Sequence, residues 1–295
     1  MSRRGWVLFI AMAVIWGIPY LLIKVAVGEI SPVVVVFGRC VVGAALLLPW
    51  AVAKGWIRPA LRHWKPLLAF TALEMTGPWL LLSWAETSLS SSLTGLLVAS
   101  VPFVAALTAR LTGDEDRLTR GRVLGLLIGL AGIVALLGLD LEAGQWLPIG
   151  AVALVVIGYA TAPMIVTRSL PDVPGVAASA IALTLTAVVY APFAVPRLDE
   201  VASASGEALV SVVVLGVVCT GLALALFFAL IREVGPQRAL VITFLNPAVA
   251  VLLGVLLLDE PFTLGLALGL PLVVLGCVLA TRRSTAREVV PTPTG

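Results

Sequence analysis

Apolar residues in this chain do not alternate with polar ones in the rhythm of an amphipathic helix or strand. They run on for about 20 positions at a time, and short clusters of Arg, Lys, Asp, Glu, Gly and Pro separate the runs. At 1.5 Å per residue, a helix of about that length crosses a hydrocarbon layer of roughly 30 Å. The pattern predicts ten spans, at 6–27, 31–53, 66–85, 88–109, 122–139, 146–167, 174–196, 208–230, 238–258 and 262–281. The first run contains Pro19 and Lys24, is too long for the apolar region of a signal peptide, and is followed by no small-residue cleavage site; it is read as a span.

The basic residues test this count, because Lys and Arg collect in cytoplasmic loops. With the N-terminus inside, and Arg122 and Arg238 counted at the cytoplasmic ends of their spans, the 19 Lys and Arg leave only Arg197 on the outside and only Lys24 and Arg39 within spans. One missed helix would scramble that asymmetry. The expectation is a multi-pass protein of the inner or plasma membrane with both termini cytoplasmic and a disordered tail over 284–295.

Sliding the chain against itself reveals a repeat at an offset of 144 to 145 residues. Pro19 matches Pro163, Lys24 matches Arg168, and Thr76-Gly77 matches Thr220-Gly221. Further along, Pro102 matches Pro247, Asp114-Glu115 matches Asp259-Glu260, and Gly125 and Gly132 match Gly269 and Gly276. Five spans per half is an odd number, so the halves enter the membrane from opposite faces. The predicted fold is an all-α membrane protein whose ten transmembrane helices form two inverted five-helix repeats, 1–141 and 142–283. Inverted halves recur in secondary transporters because they can exchange inward-open and outward-open shapes about a midplane site.

Composition agrees: 60% of residues are hydrophobic and 12% charged, with a mean hydropathy of +1.12, against roughly 25% charge in soluble domains. A net charge of +3 with no aromatic-studded basic face gives no nucleic-acid signature. Cys40, Cys219 and Cys277 lie in apolar runs as small hydrophobes. There is no nucleophile elbow, zinc-binding helix motif, phosphate-binding loop or metal-spaced Cys/His cluster. No enzyme, cofactor or metal is expected, and the one histidine, His63, falls in a basic loop.

Ile15-Trp16-Gly17 with Lys24, Arg39, Pro102, the acidic Asp114-Glu115-Asp116-Arg117-Leu118-Thr119 loop and a Gly-rich fifth span form one pattern. Its end returns as Pro247, Leu258-Asp259-Glu260-Pro261-Phe262-Thr263, Gly269 and Gly276. From about residue 6 to 281 the chain resembles the EamA-type members of the drug/metabolite transporter superfamily. The resemblance implies two inverted five-helix repeats, a central cavity lined mainly by helices other than the fifth and tenth, and export of metabolites or amino acids, often coupled to protons. The chain departs from that pattern in its longer first acidic loop and in a mid-membrane acid, Glu74.

Apart from Arg122 and Arg238 at the cytoplasmic ends of their spans, Lys24, Arg39 and Glu74 are the only Asp, Glu, Lys or Arg residues inside the predicted spans, and such residues face the bundle interior or water. Lys24 is near enough to its span end to snorkel. Arg39 lies about 12 Å and Glu74 about 16 Å below the outer end, so the two could form a structural ion pair or line a substrate and proton pathway. Trp16, Trp79, Trp84, Tyr159 and Asn246 are further pathway candidates, with interfacial anchoring or packing as the alternative. Pro19, Pro78, Pro102, Pro163 and Pro247 are candidate helix breaks. The glycine series Gly121, Gly125, Gly129, Gly265 and Gly269 reads as close helix packing. The leading functional expectation is a monomeric, proton-linked secondary exporter of small polar metabolites. A passive channel, a lipid scramblase and a membrane-embedded enzyme are the rivals.

Overall fold

A computed structural model describes residues 2–111, 120–140, 144–234, 242–243 and 245–281; the Asp114-Glu115 loop, the 141/142 boundary and the tail over 284–295 lie outside the described residues. The described residues are helical, with no strand among them. Seven helical stretches are long and apolar enough to cross a membrane: Arg3–Val27, Pro32–Ala53, Trp64–Ala85, Ser91–Thr108, Trp146–Ser169, Gly175–Arg197 and Gly206–Val234. Three shorter apolar helices, Val123–Leu136, Asn246–Leu257 and Leu264–Gly276, accompany them. Large side chains such as Leu127, Leu154, Val188, Phe193 and Leu256 remain exposed on the outside of the bundle, where a lipid-facing surface needs them.

The stretches are not uniform helices. The first divides into α1 (Arg3–Gly17) and α2 (Pro19–Val27) at Ile18, because Pro19 supplies no backbone donor. α3 spans Pro32–Ala53. The third stretch passes from α4 (Trp64–Thr71) through a π-helical segment, Ala72–Thr76, into α5 (Gly77–Ala85). Pro78 cannot donate to the carbonyl of Glu74, and the widened turn spares its ring a clash there, with the Gly77 amide reaching back to the Ala72 carbonyl. The fourth breaks after α6 (Ser91–Val98) and resumes as α7 (Val101–Leu111), with Pro102 in its first turn.

α8 covers Arg120–Asp140, α9 Trp146–Ser169 and α10 Gly175–Ala194. Pro163 does not break α9: the helix runs through it without interruption and the ring is exposed, so the expected break is absent at this position. One missing bond in a 24-residue ladder leaves the rest intact. α11 (Gly206–Gly216) leads through a second π segment, Val217–Leu222, into α12 (Ala223–Val234). Here the Thr220 hydroxyl donates to the Leu215 carbonyl five residues back, which holds the wide turn open without a proline. α13 (Asn246–Leu257) carries Pro247 in its first turn, and α14 spans Leu264–Thr281.

Helices pair in a fixed pattern: α8 with α14, α3 with α10, α6 with α13, the α1–α2 stretch with the α11–α12 stretch, and the α4–α5 stretch with α9. Glycines permit the closest of these approaches. A Cβ on Gly276 would fall on the backbone of Gly129, and one on Gly132 would lie 2.8 Å from the Leu272 side chain, so α8 and α14 meet almost backbone to backbone. Gly158 brings α9 against the carbonyl of Leu73, which seats α9 on the first π segment.

Candidate functional site

Arg39, Glu74, Trp79 and Tyr159 come from three different stretches of helix, and the pairing of α3, the α4–α5 stretch and α9 brings them together. Arg39 is 8% exposed. Its guanidinium lies 3.7 Å from the centre of the Trp79 ring, and its Nε donates to the Thr220 hydroxyl at 3.0 Å. That hydroxyl is presented by the second π segment, so one wide turn supplies the acceptor for the buried cation. Tyr159, on α9, lies within electrostatic reach of Glu74 and Arg39. Tyr20, on α2, interacts with Arg39 and Tyr159.

Arg39 and Glu74 are not an ion pair: among the described residues no carboxylate approaches the guanidinium, whose only hydrogen bond uses Nε. The structural pairing that similar depth suggested is therefore replaced by stacking on Trp79. A cation–π contact in a desolvated setting contributes about 2 kcal/mol and offsets part of the cost of burial. The two terminal nitrogens retain a planar pair of donors, the geometry that takes a carboxylate in bidentate fashion. Glu74 is half-buried on the first π segment. Beside it, the Thr76 and Thr186 hydroxyls are 2.8 Å apart, and the Tyr190 hydroxyl donates to the Thr76 carbonyl at 2.6 Å.

The other candidates lie elsewhere. Lys24 lies outside this cluster; its ammonium donates to the carbonyls of Glu86 and Leu89, both at 2.8 Å, and so caps the end of α5 and the turn that follows. Trp16 packs against Phe227 at 4.7 Å between ring centres. Asn246, with its amide nitrogen turned toward α1, donates to the Ala13 carbonyl at 3.2 Å and the Ile242 carbonyl at 2.9 Å, a tie between helices. Trp84 is exposed.

Three residues that the pattern of apolar runs did not single out matter here. Thr220 and Tyr20 are common residue types in apolar helices and carry no charge to mark them. Glu86 sits where the pattern shows only a polar turn, yet it is fully buried. It belongs to the end of the bundle that also carries Glu29, Glu200 and Glu260, termed here the acidic end. Glu260 accepts from the Ser91 amide at 2.7 Å and the Ser92 amide at 3.0 Å, capping α6. Glu29 accepts from the Ser205 amide and hydroxyl at 2.7 and 2.6 Å, and these bonds hold its carboxyl below the usual range. Glu200 accepts from the Ser31 amide at 2.7 Å.

This arrangement has relatives. The model of the EamA-like transporter family matches residues 3–138 and again 146–282. The uncharacterized inner membrane transporter YedA of Escherichia coli strain K12 is 29% identical over 280 residues, covering 92% of this chain and 88% of its own. An uncharacterized transporter of Archaeoglobus fulgidus is 25% identical over 289 residues, covering 95% of this chain and 99% of its own. A solved crystal structure, 21% identical, shares the fold with a TM-score of 0.66 over 95% of this chain and 98% of that one. With apolar helices throughout and a family model matching nearly its whole length, the chain is a multi-pass membrane protein that belongs to the EamA-like transporter family, within the drug/metabolite transporter superfamily.

Proposed function

We propose that this protein is a secondary exporter of small polar solutes that carry a carboxylate, bound by Arg39 and moved by alternating access of two inverted five-helix halves. The observation that carries the reading is a buried guanidinium with no carboxylate beside it and its terminal donors unspent. A cation costs about 2.5 to 3.5 kcal/mol at the centre of a membrane helix on insertion scales, so its retention without a protein counter-ion favours an anionic visitor. Trp79 and Tyr159 give that visitor an aromatic wall, and Glu74 offers an acceptor for an ammonium group or a proton.

Three features support the inverted repeat. The π segments Ala72–Thr76 and Val217–Leu222 occupy equivalent places in the two halves. Exchanging the halves turns the pairing of the first stretch with the eighth into that of the third with the sixth, and leaves the other pairings unchanged. The family model also matches twice. In this reading the seven long and three shorter helices are ten spans, both termini are cytoplasmic, and the acidic end faces outward.

The test uses the purified protein in sealed vesicles with an imposed pH gradient. An exporter accumulates solute against its gradient, a channel or scramblase only equilibrates it, and an enzyme alters it. Arg39→Gln should depress transport of carboxylates far more than of their neutral amides, and Arg39→Lys should retain part of the preference. Equal loss for both solute classes in folded protein would remove Arg39 from the substrate site. A reporter after Arg283 that scored as external would sink the inverted repeat.

A further inference from the structure

Glu86 is 0% exposed, and neither of its carboxylate oxygens has a hydrogen-bond partner. This is an unusual state for an acid in a chain that satisfies its other acidic-end carboxylates so fully. Glu260, next to it, takes three donors from Ser91 and Ser92. Lys24, the one cation at hand among the described residues, spends its ammonium on the main-chain carbonyls of Glu86 and Leu89 and not on the Glu86 carboxylate. An ionised carboxylate buried without donors and beside a second carboxylate is strongly disfavoured, and such a group takes up a proton instead. Burial, opposed by Lys24 and reinforced by Glu260, holds the Glu86 carboxyl well above the usual carboxylate range.

The titratable groups that face Glu86 are Lys24 and Tyr20 from α2, Tyr159 from α9 and Glu260 from the turn before α14; α13 presents Gly254, where a side chain would overlap Glu260 and Ser92. Tyr20 and Tyr159 also interact with Arg39. Glu86 is therefore the acidic-end carboxyl that lies toward the Arg39 cluster.

We propose that Glu86 is a proton-binding site that couples closure of the acidic end to protonation, an inference that rests on the exporter reading above for its role in transport. In the arrangement seen here Glu86 carries the proton. Loss of that proton to water leaves a carboxylate that competes with the carbonyls of Glu86 and Leu89 for the Lys24 ammonium. The bonds that hold α2 to the turn between α5 and α6 are then given up, and the acidic end loosens. Proton uptake from the outer solution restores them.

The test begins with a readout that needs no transport. Infrared difference spectra of the reconstituted protein, recorded as pH is raised, should show loss of a protonated-carboxyl band that is absent from Glu86→Gln and kept by Glu74→Gln. In vesicles, Glu86→Gln should retain solute exchange at equal pH and lose accumulation driven by a pH gradient. Glu86→Asp, still ionisable, should recover the band and part of the accumulation, which guards against a Gln variant that fails to fold. A band unchanged in folded Glu86→Gln, or wild-type accumulation by that variant, would overturn the proposal. If the wild-type protein moved no solute, the exporter reading would fail while the infrared result still decided whether Glu86 binds the proton.

Discussion

Removing the ring beneath the buried cation should cost the protein stability in a way that packing alone does not explain. In Trp79→Leu the guanidinium of Arg39 loses the ring now 3.7 Å away and keeps only its bond to Thr220. The cation–π contact in a desolvated site contributes about 2 kcal/mol. Leu refills only part of the indole volume, and full truncation of a buried aromatic costs about 3–5 kcal/mol, so the whole effect should fall at about 3–4 kcal/mol. At about 2–4 °C per kcal/mol for a chain of 150–250 residues, the melting temperature in detergent should drop by roughly 6–16 °C. The electrostatic share is isolated by repeating the substitution in an Arg39→Met background, where no cation remains to be stranded. The double-mutant coupling should be about 2 kcal/mol. A coupling within about 0.5 kcal/mol of zero, the additivity expected of independent sites, would show that the stack is incidental and would refute the account of how Arg39 is tolerated.

Gly158→Ala should destabilise by about 1–3 kcal/mol, because the added methyl meets the Leu73 carbonyl and a backbone group cannot swing aside. Gly150→Ala, with nothing within 4 Å, is the matched control and should be neutral in the same thermal scan. Glu29 tests the acidic end by pH: its folded-state carboxyl lies below its ordinary range, so its contribution is present above that range and is lost as pH falls through the lowered value. The hydrogen-exchange protection of the Ser205 amide, taken as its rate relative to the intrinsic rate at each pH, should fall on acidification in the wild type, and in Glu29→Gln that acid-dependent loss of protection should disappear.

Charge was the most legible part of the site. Arg39 and Glu74 stood out because a charged residue in an apolar run has few explanations, and both lie within electrostatic reach of Tyr159. What the run could not disclose was their partner. Depth alone suggested that they meet, whereas the rotation of α3 turns Arg39 toward Trp79 and Thr220. Lys24 and Glu86 failed for a related reason. A lysine near a span end and a glutamate in a turn both look solvated in one dimension; only the packing of α2 against α6 reveals that Lys24 is bonded to main-chain carbonyls and Glu86 is enclosed. Prolines were partial guides: Pro19 and Pro102 accompany breaks, Pro163 does not, and the second π segment forms with no proline at all. The Thr-Gly pair at the two π segments was visible as a repeat but not as a wide turn, because the Thr220 hydroxyl bonds to the chain's own backbone and the Thr76 hydroxyl pairs with Thr186 on another helix.

In the exporter reading proposed above, the bonds at the acidic end bear on which state of the cycle this arrangement represents. Glu260 reaches Ser91 and Ser92, Glu200 reaches Ser31, and Glu29 reaches Ser205, so each joins a residue before position 141 to one after it. All three are carboxylates accepting from amides at or beside the first turns of helices, where the helix dipole favours negative charge. Such bonds close an end without burying new apolar surface, and each is separable by water at modest cost. For Glu260 the cap is worth about 0.5–2 kcal/mol, the range measured for capping groups. A latch made of a few such contacts gives a gap of a few kcal/mol between closed and open, small enough for the differential binding of one solute or one proton to invert. A hydrophobic seal over the same area would hold the end shut through the whole cycle. In the exporter reading the polar caps lie where a gate would open, while the α8–α14 pair is held almost backbone to backbone by Gly129, Gly132 and Gly276.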